Sequence, residues 1–155
     1  MKKAIFLNGV FEDVLAEILE AQRKHPDLVC YLQPYASGRI VLLQKEKPTP
    51  DNPIPLYIAT TDNLASVSYK AMIVGWENKQ EIPPDRFTEL NKAIRKYQPG
   101  EKEIYLDHNG KVCINLISVK RMSKLSSPIP VSVLTKRDDT PVKPRTRPGK
   151  WVYVS

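Results

Sequence analysis

The run Val67-Ser68-Tyr69-Lys70-Ala71-Met72-Ile73-Val74-Gly75-Trp76 decides the fold class. It is rich in β-formers and bounded by Gly75, which reads as a strand. Shorter runs of the same kind lie upstream, at Lys2 to Leu7, Leu28 to Leu32, Arg39 to Gln44 and Leu56 to Thr60. Between the last two, Lys45 to Pro55 contains Pro48, Pro50, Pro53 and Pro55 and reads as a loop.

Two segments carry the helical period instead. From Val10 to His25 the apolar residues Val10, Phe11, Val14, Leu15, Ile18 and Leu19 fall on one stripe. Acids precede and Arg23, Lys24 and His25 follow, as the helix dipole favours, and Pro26 ends the segment. Pro84 to Tyr97 repeats the pattern, with Pro84 at the first helical position and Phe87, Leu90, Ile94 and Tyr97 apolar.

Downstream, Glu103 to Leu106 and Lys111 to Val119 flank Asp107-His108-Asn109-Gly110, where Asn-Gly predicts a hairpin. Ser126 to Pro130 reads as a loop, Val131 to Leu134 as a strand, and Asp139 to Gly149 as an extended Pro-, Arg- and Lys-rich stretch. Trp151-Val152-Tyr153-Val154 reads as a terminal strand. The expected fold is α+β: a small, mostly antiparallel curled sheet or barrel of about seven or eight short strands with two packed helices. Two helices are too few for the crossovers of a doubly wound parallel sheet.

A chain of 155 residues fits one domain, 1–155, and can bury about 68–70% of its unfolded surface without disulfide or metal. The apolar run after Lys2 and Lys3 is too short for a secretory core, and no stretch is long enough to span a membrane. Cys30 and Cys113 each sit in an apolar run and read as buried free thiols of a cytoplasmic protein. The sequence alone leaves a disulfide between them open.

The formal charge of +7 is concentrated. Residues 120–155 hold Lys120, Arg121, Lys124, Lys136, Arg137, Lys143, Arg145, Arg147 and Lys150 against Asp138 and Asp139, which accounts for the whole excess; residues 1–119 are formally neutral. A basic Pro-rich segment, 120–150, pinned by the strand 151–154, is a ready footprint for phosphates. The bland alternative is a solvated loop that aids solubility.

Catalytic and metal patterns are weak. The histidines and cysteines form two His-x4-Cys pairs, His25…Cys30 and His108…Cys113, which match no zinc spacing. Cys113, a histidine and Asp107 are the right types for nucleophilic catalysis, but nothing in the spacing joins them. No phosphate-cradling glycine motif occurs. Aromatics beside cations are more telling, because bases outside a duplex stack on aromatic faces while cations hold the backbone. Trp76 at a strand end, Tyr57 and Tyr69 on neighbouring β runs, and Asp62 and Asn63 on the loop between them are the base-pocket candidates. Each could equally close the core.

The helix after the first strand, the strand Val67 to Trp76 and the terminal Trp-Val-Tyr-Val resemble the PUA-like group of small barrels, including EVE and YTH-type readers of modified bases. Ile5-Phe6-Leu7 stands where EVE domains open with Tyr-Trp. The resemblance implies non-enzymatic recognition of a base in RNA or DNA, with no cofactor. Two other readings stay open: an accessory subunit docking protein partners through its Pro-rich loops, and a small enzyme using Cys113 or a His/Cys site.

Overall fold

The computed structural model describes residues 2–33, 41–101, 103–136, 139–144 and 150–154, the last of these by backbone alone. Seven strands form one mixed sheet in the order β2-β5-β4-β3-β1-β7-β6. They are β1 (Lys2–Val10), β2 (Cys30–Leu32), β3 (Ile54–Thr60), β4 (Ser66–Glu77), β5 (Leu116–Pro130), β6 (Thr135–Lys136) and β7 (Lys150–Val154). Only β1 and β3 pair in parallel; every other neighbour pair is antiparallel. The architecture is α+β with a curled sheet. No helix among the described residues is long and apolar enough to cross a membrane.

Helix α1 (Glu12–Lys24) buries Leu15, Ile18 and Gln22 at the spacing of one stripe. Leu15 and Ile18 join the main core with Ile5, Leu7, Cys30, Leu32, Leu56, Ile58, Tyr69, Ala71, Ile73, Ile117 and Val119. The expected stripe is corrected at one end: Phe11 is the N-cap residue, outside the helix, and 66% exposed. Helix α3 (Pro84–Tyr97) has the expected bounds and packs Leu90 and Ile94 on Tyr31, Ile104 and Leu116. Tyr31 and Leu116 alternate with residues of the main core, so α3 covers the other face of the sheet at that end.

Three expectations are corrected. Arg39 to Gln44 is no strand where it is described: Val41–Glu46 forms a short helix, α2, that buries Leu43 in the main core. Leu, Gln, Lys and Glu are strong helix formers, and an apolar run this short has no period of its own. The segment Ser126 to Pro130 is the end of β5 rather than a loop, and Val131–Val133 is a 3-10 turn rather than a strand. Pro128 is tolerated because β5 bulges there: Val67 pairs with Ile129 but Tyr69 pairs with Lys124, so the intervening residues leave the ladder.

The Asn-Gly turn forms with Gly110 at φ 78°, and Asp107 Oδ1 accepts from the amides of Asn109 and Lys111. Its arms meet in a single bridge, Leu106 to Val112, so the expected hairpin shrinks to its turn. Buried side-chain amides take over where the ladder fails. Gln33 Oε1 accepts from the Tyr105 amide, Asn91 Oδ1 from Ile104 and Asn115 Oδ1 from Lys79.

Candidate nucleic-acid interface

The sheet face away from α1 is covered at both ends and open between. At one end Ala4, Phe6, Ala59 and Val67 lie under Val131, Leu134 and Val142, with Tyr57, Leu125 and Ile129 packed against them. At the other end lies α3 with Tyr31 and Leu116. Between the covers, two cross-strand rungs reach solvent. In one, Tyr57 pairs with Lys70 and Lys70 with Ser123. In the next, Pro55 pairs with Met72 and Met72 with Lys120. Lys70 is exposed and the other five are half-buried.

A bulge in β5 sets this pattern. Lys70 pairs with Ser123 and Met72 with Lys120, so β5 carries one extra residue there. Arg121 sits in the bulge at φ 56°, exposed. Gln22 of α1 straps it: Nε2 donates to Val119 O at 2.9 Å and to Leu28 O at 3.0 Å, while Oε1 accepts from the Met122 amide at 2.8 Å. The bulge returns Met122 to the main core and leaves Lys120 on the open face.

The nine expected cations therefore part company. Lys120 is on the open face with Tyr57 and Lys70. Lys124 is on the α1 face, paired with Tyr69, and its Nζ lies 2.8 Å from Glu12 Oε1. That contact, with a hydrogen bond from the Tyr69 hydroxyl, holds the Glu12 carboxyl below its ordinary range, and Glu12 raises Lys124 in turn. Lys136 is half-buried in β6, and Lys143 is exposed beside the buried Val142. Arg137, Arg145 and Arg147 lie outside the described residues, as does the side chain of Lys150. The backbone of β7 pairs with β1, Lys150 opposite Phe6.

The base-pocket candidates also divide. Tyr57 borders the open face, whereas Tyr69 is 1% exposed in the α1-side core. Burial and the Glu12 carboxylate raise the Tyr69 hydroxyl pKa. Trp76 joins that same core because a second bulge, between Ile73 and Gly75, re-phases β4. Gly75 lets the strands approach closely there, since a Cβ would meet Ser118 Oγ at 3.1 Å. Asp62 and Asn63 are exposed in the β3–β4 turn, where Asn63 Oδ1 accepts from the Ala65 amide. Tyr57, Tyr69 and Trp76 do not line one pocket.

Several residues went unread in the sequence. Lys70 was hidden inside a strand, and only the register with Tyr57 gives it a partner. Asn8 is 1% exposed, and neither Oδ1 nor Nδ2 has a hydrogen-bond partner among the described residues. It alternates with Ala4 and Phe6 and pairs with Ala59, one same-face step beyond Tyr57. Ser68 and Ser123, chain neighbours of the paired Tyr69 and Lys124, also hold buried hydroxyls without a partner among the described residues. Such groups are rare in native structures and mark functional or water sites.

Cys30 and Cys113 are free thiols. Burial pushes the Cys30 thiol up to about 11. His25 stacks edge-on against Tyr97 at 5.5 Å, and His108 is exposed in the Asn-Gly turn. Among the described residues, no three of His, Cys, Asp and Glu gather as metal ligands would.

No protein-family model matches the chain, and no curated protein does. Among solved structures, the chain is similar to the N-terminal domain of Staphylothermus marinus McrB. The two are 10% identical, the match covers 83% of this chain and 76% of that one, and the TM-score is 0.29. A likeness that loose leaves the strand pairing as the ground for the fold.

Proposed function

We propose that this chain is a non-catalytic nucleic-acid-binding module, PUA-like in plan, that holds an unpaired strand across the open face of its sheet. One observation carries the reading. Lys70 and Lys120 flank the half-buried Tyr57 and Met72 on that face, and neither has a carboxylate partner among the described residues. By contrast Lys3, Arg23, Lys24, Arg86, Arg95 and Lys124 are each paired with an acid. Free cations around an aromatic are what a sugar-phosphate strand with splayed bases requires. The excess of cations in segment 120–150 adds to the chain's net attraction for phosphates. A base, modified or not, rests against Tyr57, the half-buried aromatic of that face.

Fluorescence anisotropy with labelled single-stranded and duplex oligonucleotides, DNA and RNA, tests the proposal. Single strands bind more tightly than duplexes. Lys70→Glu with Lys120→Glu weakens binding more than about tenfold at 0.1 M salt with the circular dichroism spectrum unchanged. Arg145→Glu with Arg147→Glu weakens it for every sequence alike. A Lys70/Lys120 double variant that binds as the parent does would sink the assignment of this face.

A further inference from the structure

Helix α3 presents a groove outside the open sheet face. It is a concavity of about 680 Å³ between two ridges of the helix, Phe87–Asn91–Arg95 and Thr88–Lys92–Lys96. Three of its six lining residues are cations and none is an acid. Of the two acids on the helix, Glu89 is bound by Arg86 at 2.6 Å, and Asp85 lies in the first turn, outside the lining. Of the three cations, Arg95 touches Glu103 at 3.2 Å, and Lys96 lies 5.1 Å from the centre of the Tyr97 ring. Lys92 is exposed and has no ion pair among the described residues.

A buried group aims the groove's chemistry. Asn91 is 8% exposed, and its Oδ1 accepts from the Ile104 amide at 2.8 Å. An acceptor facing an N–H has to be the amide oxygen, so the other end of this side chain is the NH2. That Nδ2 donates to no described residue. A fixed, unused donor at the floor of a cationic groove is suited to an oxyanion.

We propose that this groove is a second site, which binds a phosphomonoester. Several cations and one neutral donor suit a group carrying about −1.5 to −2 charge at neutral pH better than a singly charged phosphodiester. Phe87 offers an apolar wall for the organic part of the ligand. Either a free nucleotide or the phosphorylated end of an oligonucleotide supplies that chemistry.

Titration calorimetry of the full chain with adenosine 5′-monophosphate, adenosine and inorganic phosphate tests it. The monophosphate and phosphate bind, and adenosine does not. Lys92→Ala with Lys96→Ala weakens the monophosphate about tenfold or more, since each lost charge-assisted contact is worth that much. Asn91→Asp keeps an acceptor for Ile104 but turns the donor into a carboxylate, so binding is lost with the melting temperature little changed. Should that variant fail to fold, the lysine pair decides alone. Lys70→Glu with Lys120→Glu leaves monophosphate affinity unchanged, which separates this site from the sheet face. In the Lys70→Glu, Lys120→Glu background, tighter binding of a 5′-phosphorylated oligonucleotide than of both the monophosphate and the unphosphorylated oligonucleotide identifies a strand end as the ligand; no gain over the monophosphate identifies the free nucleotide. Adenosine binding as well as its monophosphate, no binding of either, or an unaffected lysine double variant would overturn the site.

Discussion

The side-chain amide of Gln98 pairs with the backbone of Tyr31 as a neighbouring strand would. Oε1 accepts from the Tyr31 amide and Nε2 donates to the Tyr31 carbonyl, both at 2.8 Å. Tyr31 is the middle residue of β2, the edge of the sheet. An open edge invites pairing with another chain, and one buried glutamine, 1% exposed, closes this one.

Replacing Gln98 with Leu leaves two buried backbone groups without partners. The expected cost is about 2–4 kcal/mol, read from urea denaturation. Gln98→Glu keeps the acceptor and loses the donor, so it falls between the two. Gln98→Leu also raises concentration-dependent aggregation, measured by light scattering. A Leu variant as stable and as monodisperse as the parent would mean that the edge needs no closure.

Gln22 performs the same service for the β5 bulge, and there the effect reaches the binding face. Gln22→Met removes the strap between Val119 and Met122. It is expected to cost about 2–4 kcal/mol. Because the bulge sets where Lys120 points along the sheet, oligonucleotide affinity falls as well, although Gln22 lies on α1, against the other face. Loss of stability with affinity intact would separate the bulge from the site.

Asn8→Val replaces two unpartnered buried atoms with a β-former. The melting temperature rises, by the equivalent of about 1–3 kcal/mol. A lower melting temperature would show that buried water satisfies the amide.

What the sequence reveals here depends on whether the signal is local. Helix α3 was legible to the residue, because Pro84 and the Leu90–Ile94 spacing lie within it and Pro99-Gly100 just beyond its end. The β-character of residues 67–76 was equally plain. The faces were not. Tyr57, Tyr69 and Trp76 look equivalent in a list of aromatics, yet the β3–β4 register puts Tyr57 on the face opposite Tyr69, and one bulge in β4 returns Trp76 to the side of Tyr69. The same holds for Lys120 and Lys124, four residues apart and on opposite faces because Arg121 adopts a left-handed conformation. Charge composition alone gives no sign of a bulge, and Gln22, which holds it, is 97 residues from Val119.

The cysteines differ in reactivity. Cys30 is 1% exposed with its thiol pushed up to about 11, while Cys113 is half-buried with Sγ 3.5 Å from the Tyr105 carbonyl. A maleimide reagent at pH 8 labels Cys113 first, and Cys30 only on unfolding. Because the folded thiol pKa is raised above its ordinary 9.0, the stability it contributes is complete below pH 9 and is lost as pH rises toward about 11. Tyr31 and Tyr69, also raised by burial, steepen the decline above their ordinary 10.0. Cys30→Ala flattens the lower part of that alkaline limb in pH-dependent denaturation. Rapid labelling of Cys30 in the folded chain would contradict the burial.

The last prediction sets three lysines against one another. Lys70, Lys120 and Lys124 sit on adjacent strands, yet only the first two face the proposed strand. On single strands each phosphate contact contributes about −0.7 to the slope of log K against log salt. Lys70→Met and Lys120→Met each reduce the steepness by about that amount and weaken binding to all sequences alike. Lys124→Met leaves the slope unchanged, since Glu12 already neutralises that charge on the α1 face. Its effect appears instead in the acid limb of stability. Glu12, held low by Lys124 and by the Tyr69 hydroxyl, contributes above its ordinary 4.5 and loses that contribution as pH falls below it; the variant keeps only the Tyr69 part, so its loss is smaller. Three equal slope changes would mean that the ligand feels only net charge, and that the open face has no privileged role.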